Sequence, residues 1–238
     1  MNETLYRVSE VFGPTIQGEG PLVGRPTCFV RLGGCDYRCD WCDSLHAVLV
    51  QHYPEWSPMT PEAILGEVER LAGGPILITV SGGNPALYRL DAFLALAHER
   101  GHRVALETQG SIPRKWFALL DHLILSPKPP SSRMRFDPGK LAECISLAGP
   151  DTQVALKVVV FDGVDFDFAR QVGRLHPDLP FYLQPGNHTP PHLADHVDVD
   201  GVLERTRWLV ERVGAERWYN AAVIPQLHTL LWGNRRGV

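Results

Sequence analysis

Three cysteines lie close together near the N-terminus, where Cys35, Cys39 and Cys42 form the pattern C-x3-C-x2-C. This spacing is short enough for one loop to wrap a single metal centre with three thiolates. If His46 supplies a fourth ligand, the loop is a structural Cys3His zinc site. If the loop holds a four-iron cluster instead, three thiolates leave one iron open, where a cofactor can bind and be reduced. A disulfide inside this segment is disfavoured because it would leave an odd thiol.

Further polar residues follow other apolar segments of the chain. Gly82 and Gly83, in SGGNP, allow peptide N–H groups to approach a ligand closely. The planar guanidinium of Arg31 can bind a carboxylate through two parallel hydrogen bonds, although an outward-facing arginine in a surface ion pair is the alternative. The remaining polar segments of this kind are ETQGS, SPKP and LQPGN.

Short apolar runs rich in β-branched residues alternate with segments of helical period, and these elements must position the polar loops. Such alternation is typical of βα units around a parallel sheet. The predicted strands are 27–32, 75–80, 103–107, 121–125, 154–160 and 180–183, and the predicted helices are 61–72, 89–100, 113–120, 138–146, 165–175 and 201–213. Six strands fit either an open, partial barrel or a doubly wound α/β sheet. In both folds the ligand site lies at the loops after the strands.

The other two cysteines fall among apolar residues. Asp137 and Pro138 predict the start of a helix whose inward stripe includes Cys144, and Cys28 lies on the first predicted strand. Free cysteines are commonly buried, so we expect both to be core residues and not metal ligands.

The composition is that of an ordinary globular protein, with 44% hydrophobic and 21% charged residues among 238. We expect one domain spanning 1–238. A formal net charge of -4 does not favour binding to nucleic acid or to an anionic membrane. The segment MNETLYRVSEVF lacks a basic stretch followed by an apolar core, and no apolar run is long enough to span a bilayer. We therefore expect a cytoplasmic protein.

Several motifs together resemble those of a known enzyme family. A C-x3-C-x2-C loop after the first strand of an α/β chain is the signature of radical S-adenosylmethionine enzymes, and the segment IQGEGPLVGRPTCFVRLGGCDYRCDWCDS resembles the N-terminal block of the 7-carboxy-7-deazaguanine synthase family. The resemblance continues in SPK at 126–128 and in the final RRGV. It implies a partial (β/α)6 barrel of the radical S-adenosylmethionine type.

The resemblance also implies an activity and its cofactors. Members of this family convert 6-carboxy-5,6,7,8-tetrahydropterin to 7-carboxy-7-deazaguanine with loss of ammonia, in 7-deazapurine (queuosine) biosynthesis. The implied cofactors are a 4Fe-4S cluster, S-adenosyl-L-methionine and Mg²⁺. The implied partners are the small pterin substrate, an electron donor such as a flavodoxin or ferredoxin, and a second copy of the chain in a homodimer. No side chain is expected to be catalytic, because a deoxyadenosyl radical carries the chemistry.

Site residues follow from the same resemblance, position by position. The implied metal ligands are Cys35, Cys39 and Cys42 for the cluster and Ser44 for Mg²⁺. The implied cofactor-binding residues are Trp41, Asp43, Gly83, Glu107, Ser126, Pro127 and Lys128. The implied substrate-binding residues are Ile16, Gln17, Gly18, Arg31, Ser81 and Val238.

The sequence departs from the family at one position and leaves two hypotheses open. Asn84 occupies the place of an acidic residue in the family's GGEP loop, and the role of His228 is undecided. One alternative function is a glycyl-radical activating enzyme, which shares the three-cysteine loop. The other is a non-catalytic Cys3His zinc-binding module.

Overall fold

The computed structural model describes residues 4–189 and 196–238, and a nine-stranded sheet runs through them. The strands are β1 (Tyr6–Ile16), β2 (Pro26–Leu32), β3 (Ser57–Met59), β4 (Leu77–Gly82), β5 (Arg103–Thr108), β6 (His122–Leu125), β7 (Gln153–Val160), β8 (Phe181–Pro185) and β9 (Ala221–Val223). Their order in the sheet is β3-β1-β2-β4-β5-β6-β7-β8-β9. The strand β1 pairs antiparallel with β2 and β3, whereas every neighbouring pair from β2 to β9 is parallel.

The parallel strands follow one another in chain order, without the reversal of order that marks a doubly wound sheet. The sheet also stays open, since β3 and β9 lie at its two edges. These two features confirm the predicted partial barrel.

Seven α-helices connect or flank the described strands. They are α1 (Leu45–Val48), α2 (Pro61–Ala72), α3 (Asp91–Glu99), α4 (Pro138–Ser146), α5 (Gly163–Leu175), α6 (Val199–Ala215) and α7 (Leu227–Trp232). Local side chains begin several of them: the Thr60 hydroxyl accepts a hydrogen bond from the Ala63 N–H, and the Asp137 carboxylate accepts from two N–H groups of α4. Within the described ranges, no helix is both long and apolar enough to cross a membrane.

All six predicted strands are present, as β2, β4, β5, β6, β7 and β8, and five predicted helices match α2 to α6. The predicted helix 113–120 is a short 3₁₀ helix at Lys115–Leu119. The sequence analysis missed β1, β3, β9, α1 and α7. The pairing of β1 with β2 has register shifts, which break the alternation of apolar and polar residues along β1. The strands β3 and β9 have only three residues each, which is too short to show an alternating pattern in the sequence.

Alternate side chains of the parallel strands face two different environments. On β2 and β7, Val30 and Leu156 belong to the apolar core that the helices cover, whereas Arg31 and Lys157, next to them in sequence, line a cavity. The period of two along each strand therefore divides the sheet into a helix-packed face and a polar face. Cys28 and Cys144 are fully buried in the core, as predicted.

The turn after β4 requires glycine. Gly82 has φ of +140°, and a Cβ atom there would overlap the backbone of Leu32 on β2. Gly66 lies exposed on α2, where a Cβ atom would have open space around it. We expect Gly82→Ala to lower the unfolding free energy and to displace the loop, since strand β4 cannot remain paired without strain.

The matched substitution Gly66→Ala should raise the unfolding free energy by about 0.5–1 kcal/mol, because glycine is a poor helix former. Denaturant unfolding of both variants measures the difference. If Gly82→Ala had the same unfolding free energy as Gly66→Ala, the claim that β4 approaches β2 too closely for a side chain at position 82 would be contradicted.

Candidate active site

A cavity of about 730 Å³ opens at the carboxyl ends of the parallel strands. This volume lies in the range of small-molecule sites. The predicted site residues that line it are Ile16, Gln17, Arg31, Cys35, Cys39, Trp41, Cys42, Asp43, Ser44, Ser81, Gly83, Glu107, Ser126, Lys128 and Val238. Only Gly18 and Pro127 of the predicted set are not in its wall, and each is next in sequence to a residue that is.

The three-cysteine loop forms one side of the cavity. Cys35, Cys39 and Cys42 are each partly buried, and burial raises the pKa of the Cys39 thiol to about 11 and that of the other two above the ordinary value. The thiols therefore carry protons until a metal displaces them. Three thiols facing one enclosed space fit an iron–sulfur cluster.

A zinc site fits less well. His46 Nε2 lies 3.2 Å from Glu10 Oε1 and forms a hydrogen bond with it. In the part of the chain that the structure describes, no three Cys, His, Asp or Glu side chains converge as they would around a single metal ion. One ring nitrogen of His46 is therefore engaged by Glu10, which disfavours His46 as the fourth ligand of a zinc site.

Aromatic and basic side chains lie beside the cysteine loop. The Trp41 indole N–H donates to the Ser131 hydroxyl at 3.0 Å, and its ring packs against Phe161 with 5.2 Å between centroids. Lys128 Nζ lies 5.7 Å from the Trp41 ring centroid and donates to Ser126 Oγ at 3.2 Å. These residues form a wall with an apolar surface and one cation, suited to a planar ring that carries a charged tail.

Asn84 is fully buried behind the cavity and has all its hydrogen-bonding groups occupied. Its amide nitrogen donates to Asp36 at 2.7 Å and to Ser111 at 3.2 Å. Its oxygen accepts from the Thr108 hydroxyl at 2.7 Å and from the Ala86 N–H at 3.2 Å. The Asn84 side chain therefore joins loops together, and it is not part of the cavity wall that the described residues form.

Elsewhere in the cavity wall, a buried lysine lies between two carboxylates. Lys157 on β7 forms ion pairs with Glu19 and with Glu107 Oε2, the latter at 3.2 Å. Burial by itself would lower the pKa of Lys157, but the two carboxylates raise it above its usual value. Gln17 donates to Glu107 at 2.9 Å, and Gln226 donates to Glu19 at 2.7 Å. Glu107, predicted to bind the cofactor, thus contacts the predicted substrate residue Gln17.

Glu10 on β1 connects three more segments of the site. Its carboxylate accepts hydrogen bonds from Arg31 Nε at 2.7 Å and Arg236 Nε at 2.8 Å, besides the contact with His46. Burial would raise the pKa of Glu10, but His46, Arg31 and Arg236 together hold it at about 2. Arg31 is therefore in an ion pair, as the alternative prediction allowed, and that pair lies in the cavity wall instead of on the outer surface.

The last residues of the chain close over the cavity. The N–H of Leu227 donates to the Gly18 carbonyl at 2.9 Å, and a Cβ atom at Gly18 would overlap the His228 ring. Gly18 is thus needed for close contact with α7, which explains its position outside the cavity wall. His228 and Val238 both line the cavity.

Comparison with known proteins identifies the family. A sequence profile described as the Radical SAM superfamily matches residues 29–126. The 7-carboxy-7-deazaguanine synthase of Bacillus subtilis (strain 168) is 46% identical over 97% of this chain and 98% of its own length. The chain belongs to the 7-carboxy-7-deazaguanine synthase family. The synthase of Bacillus cereus is 43% identical, again over 97% of this chain and 98% of its own length.

Solved structures agree on the fold. The crystal structure of QueE from Escherichia coli matches this chain with a TM-score of 0.69 and 22% sequence identity. The match covers 94% of this chain and 95% of the QueE chain. Streptococcus suis SuiB bound to S-adenosylmethionine matches with a TM-score of 0.54 at 13% identity, over 82% of this chain and 46% of that one. QueE shares the fold of this family member over nearly its whole length, and SuiB shares it over about half of its length. The glycyl-radical activating enzyme and the zinc module are not favoured by these relatives.

Sequence reasoning missed several residues that the fold brings into the site, among them Glu10, Glu19, Lys157 and Gln184. One signal was available: Lys157 interrupts the apolar run VALKVVV, and a lysine within a buried strand is rarely tolerated without a partner. The partners themselves, at Glu19 and Glu107, were not visible because they lie far away in sequence.

Removing the buried cation should destabilise this family member. We expect Lys157→Met to lower the unfolding free energy by about 3–5 kcal/mol, because Glu19 and Glu107 would remain buried without a counter-charge. Denaturant unfolding at neutral pH measures the loss. Lys140→Met, at an exposed position of α4, is the control and should change the unfolding free energy by less than about 0.5 kcal/mol.

A triple variant completes this test. Adding Glu19→Gln and Glu107→Gln to Lys157→Met removes the two uncompensated charges and should recover part of the lost stability. A Lys157→Met protein as stable as the Lys140→Met control would contradict the role given to the buried cation.

Proposed function

We propose that this chain converts 6-carboxy-5,6,7,8-tetrahydropterin to 7-carboxy-7-deazaguanine with release of ammonia, as a step of 7-deazapurine biosynthesis. The observation that carries the proposal is that nearly all residues assigned through the family resemblance line one cavity, on a chain 46% identical to a synthase of that name. The family uses a 4Fe-4S cluster and S-adenosylmethionine, and the three thiols and the aromatic wall beside them suit both groups.

Cys35, Cys39 and Cys42 would hold the cluster, which, when bound, supplies the electron that cleaves S-adenosylmethionine. Trp41, Asp43, Gly83, Ser126, Pro127 and Lys128 would hold the cofactor. Trp41 presents a ring face, Lys128 a cation, and Gly83 a turn without a side chain, whose N–H donates to the Leu32 carbonyl. Glu107 would also bind the cofactor, and it accepts a hydrogen bond from the substrate-binding residue Gln17.

Ile16, Gln17, Gly18, Arg31, Ser81 and Val238 would bind the pterin. Ser81 Oγ is buried in the cavity wall and has no hydrogen-bond partner among the described residues, which is unfavourable unless a ligand supplies one. Arg31 offers a guanidinium to the pterin carboxylate, and Val238 offers its carboxylate to pterin N–H groups. The Glu10 ion pair limits the motion of Arg31, so that the guanidinium is oriented before the substrate binds.

Ser44 would contribute its hydroxyl to a magnesium ion. The residue is only 8% exposed, lines the cavity and stands at the start of α1, where its side chain makes no capping hydrogen bond. Its Oγ lies 3.8 Å from Cys42 Sγ, next to the cluster ligands. Magnesium prefers oxygen ligands and retains several waters, so one hydroxyl and a substrate carboxylate suffice to anchor it.

We further propose that the chain acts as one domain and as a homodimer in the cytoplasm, reduced by a flavodoxin or ferredoxin. One sheet and one main apolar core run through the described parts of the chain, which supports a single domain. The reductant and the dimer are those that the family resemblance implies.

An anaerobic assay tests the function directly. Reconstituted protein is incubated with S-adenosylmethionine, a reductant and 6-carboxy-tetrahydropterin, and the products are identified by mass. Formation of 7-carboxy-7-deazaguanine supports the proposal. A brown protein that cleaves S-adenosylmethionine but leaves the pterin unchanged would overturn it.

The cysteine assignment gives a sharper prediction. Cys39→Ala should lose bound iron and all product formation, because no neighbouring side chain can replace the thiolate. Cys144→Ala, which removes a fully buried core thiol outside the cavity, should keep its iron and its turnover. Iron and sulfide analysis with the product assay measures both. Full iron content in Cys39→Ala would refute the ligand assignment.

The magnesium assignment predicts a different pattern. Ser44→Ala should retain the cluster but slow turnover and lose most of its response to added Mg²⁺, since the ion loses its protein ligand. Rates are measured across a magnesium titration with iron content as the control. An unchanged magnesium response in the variant would rule out Ser44 as a ligand.

A further inference from the structure

A polar network lies directly beneath the three-cysteine loop. The carboxylate of Asp36, which follows Cys35, accepts hydrogen bonds from Gln109 Nε2, Asn84 Nδ2 and Ser111 Oγ, each at 2.7 Å. Its donors come from the loops after β4 and β5. The cysteine loop is thus attached to two neighbouring loops through one carboxylate.

Gln109 lies between this carboxylate and a cysteine sulfur. Its amide nitrogen is 2.7 Å from Asp36 Oδ1 and 3.6 Å from Cys35 Sγ, within hydrogen-bond distance for sulfur. A side-chain amide nitrogen carries two hydrogens, so one can point to each acceptor. Gln109 is only 7% exposed, which keeps water from competing for these contacts.

The Asp36 carboxylate that orients Gln109 is itself held in place by Asn84. Asn84 has no exposed surface, and its amide donates to Asp36 while its oxygen accepts from the Thr108 hydroxyl and the Ala86 N–H. Because Asp36 Oδ1 already accepts from Asn84 Nδ2 and Asp36 Oδ2 from Ser111 Oγ, the short contact with Gln109 places the nitrogen of its amide, and not the oxygen, toward the cysteine loop. The second N–H is therefore directed at Cys35.

We infer that Gln109 tunes the iron–sulfur cluster by donating a hydrogen bond to the Cys35 sulfur, and that Asp36 is the positioning residue that orients it. The inference rests on the proposed function, in which Cys35 is a cluster ligand. Reduction adds negative charge to the cluster and its sulfurs, and an N–H donor stabilises that charge. Gln109 thus makes the cluster easier to reduce. Nothing in C-x3-C-x2-C itself indicates this residue, which is 74 positions from Cys35.

The midpoint potential of the cluster tests the inference. In reconstituted holoprotein without S-adenosylmethionine or pterin, a redox titration followed by electron paramagnetic resonance should give a more negative midpoint for Gln109→Leu than for wild type, at equal iron content. Gln226→Leu is the matched control, because Gln226 is also a buried glutamine of the cavity wall but donates to Glu19. Its midpoint should equal that of wild type. An unchanged midpoint in Gln109→Leu would overturn the inference.

A spectroscopic measurement on the wild type covers the case in which Gln109→Leu fails to fold. Protein labelled with ¹⁵N in glutamine side chains should show a nitrogen coupling to the reduced cluster in pulsed electron paramagnetic resonance. The coupling should persist in Gln226→Leu and weaken in Asp36→Ala, where Gln109 is present but no longer oriented. Absence of any glutamine coupling in wild type would overturn the inference, and an unchanged coupling in Asp36→Ala would overturn the role of Asp36.

The outcomes distinguish this inference from the proposed function. A wild-type protein that binds no cluster or forms no 7-carboxy-7-deazaguanine contradicts the function. If the wild-type protein does both and Gln109→Leu has the same midpoint potential as wild type, only the hydrogen bond to Cys35 is contradicted.

Discussion

The ion pairs of Lys157 with Glu19 and Glu107 are the interaction on which the interior of this protein depends. A sheet that carries charge on its inner face is stable only if every buried charge has a partner. Lys157 meets this condition on β7, and its two partners come from the β1–β2 connection and from β5. Gln17 and Gln226 then bind to those carboxylates, so the substrate loop and the C-terminal segment assemble around one cation.

The two sides of the cavity are organised differently, in keeping with two different tasks. The part of the wall around Lys157 uses ion pairs and amides, which can recognise the polar edges of a flat heterocycle. The cysteine side uses hydrogen bonds from neighbouring loops to hold a backbone segment in place, through Asp36 and Asn84. A metal cluster needs ligands held at fixed positions, and the loops after β4 and β5 supply that rigidity.

Asn84 and Asp36 join the cysteine loop to the loop after β4. The Asn84 amide donates to Asp36 at 2.7 Å, and a carboxylate could not supply that N–H. The acceptor of this network therefore stands on the cysteine loop, at Asp36. The residue types at positions 36 and 84 are complementary, since one supplies the hydrogen-bond acceptor and the other the donor.

The sequence by itself determined six of the seven parallel strands, the main helices, the three-cysteine loop and the family, because these depend on local periodicity and short spacings. Through resemblance it also indicated a set of site residues, nearly all of which line the cavity. Only the tertiary structure decided that Arg31 pairs with Glu10, that Lys157 lies between two carboxylates and that Gln109 reaches Cys35. Each of these contacts joins residues on different strands or loops, and pairing across a sheet depends on register and topology, which no local pattern contains.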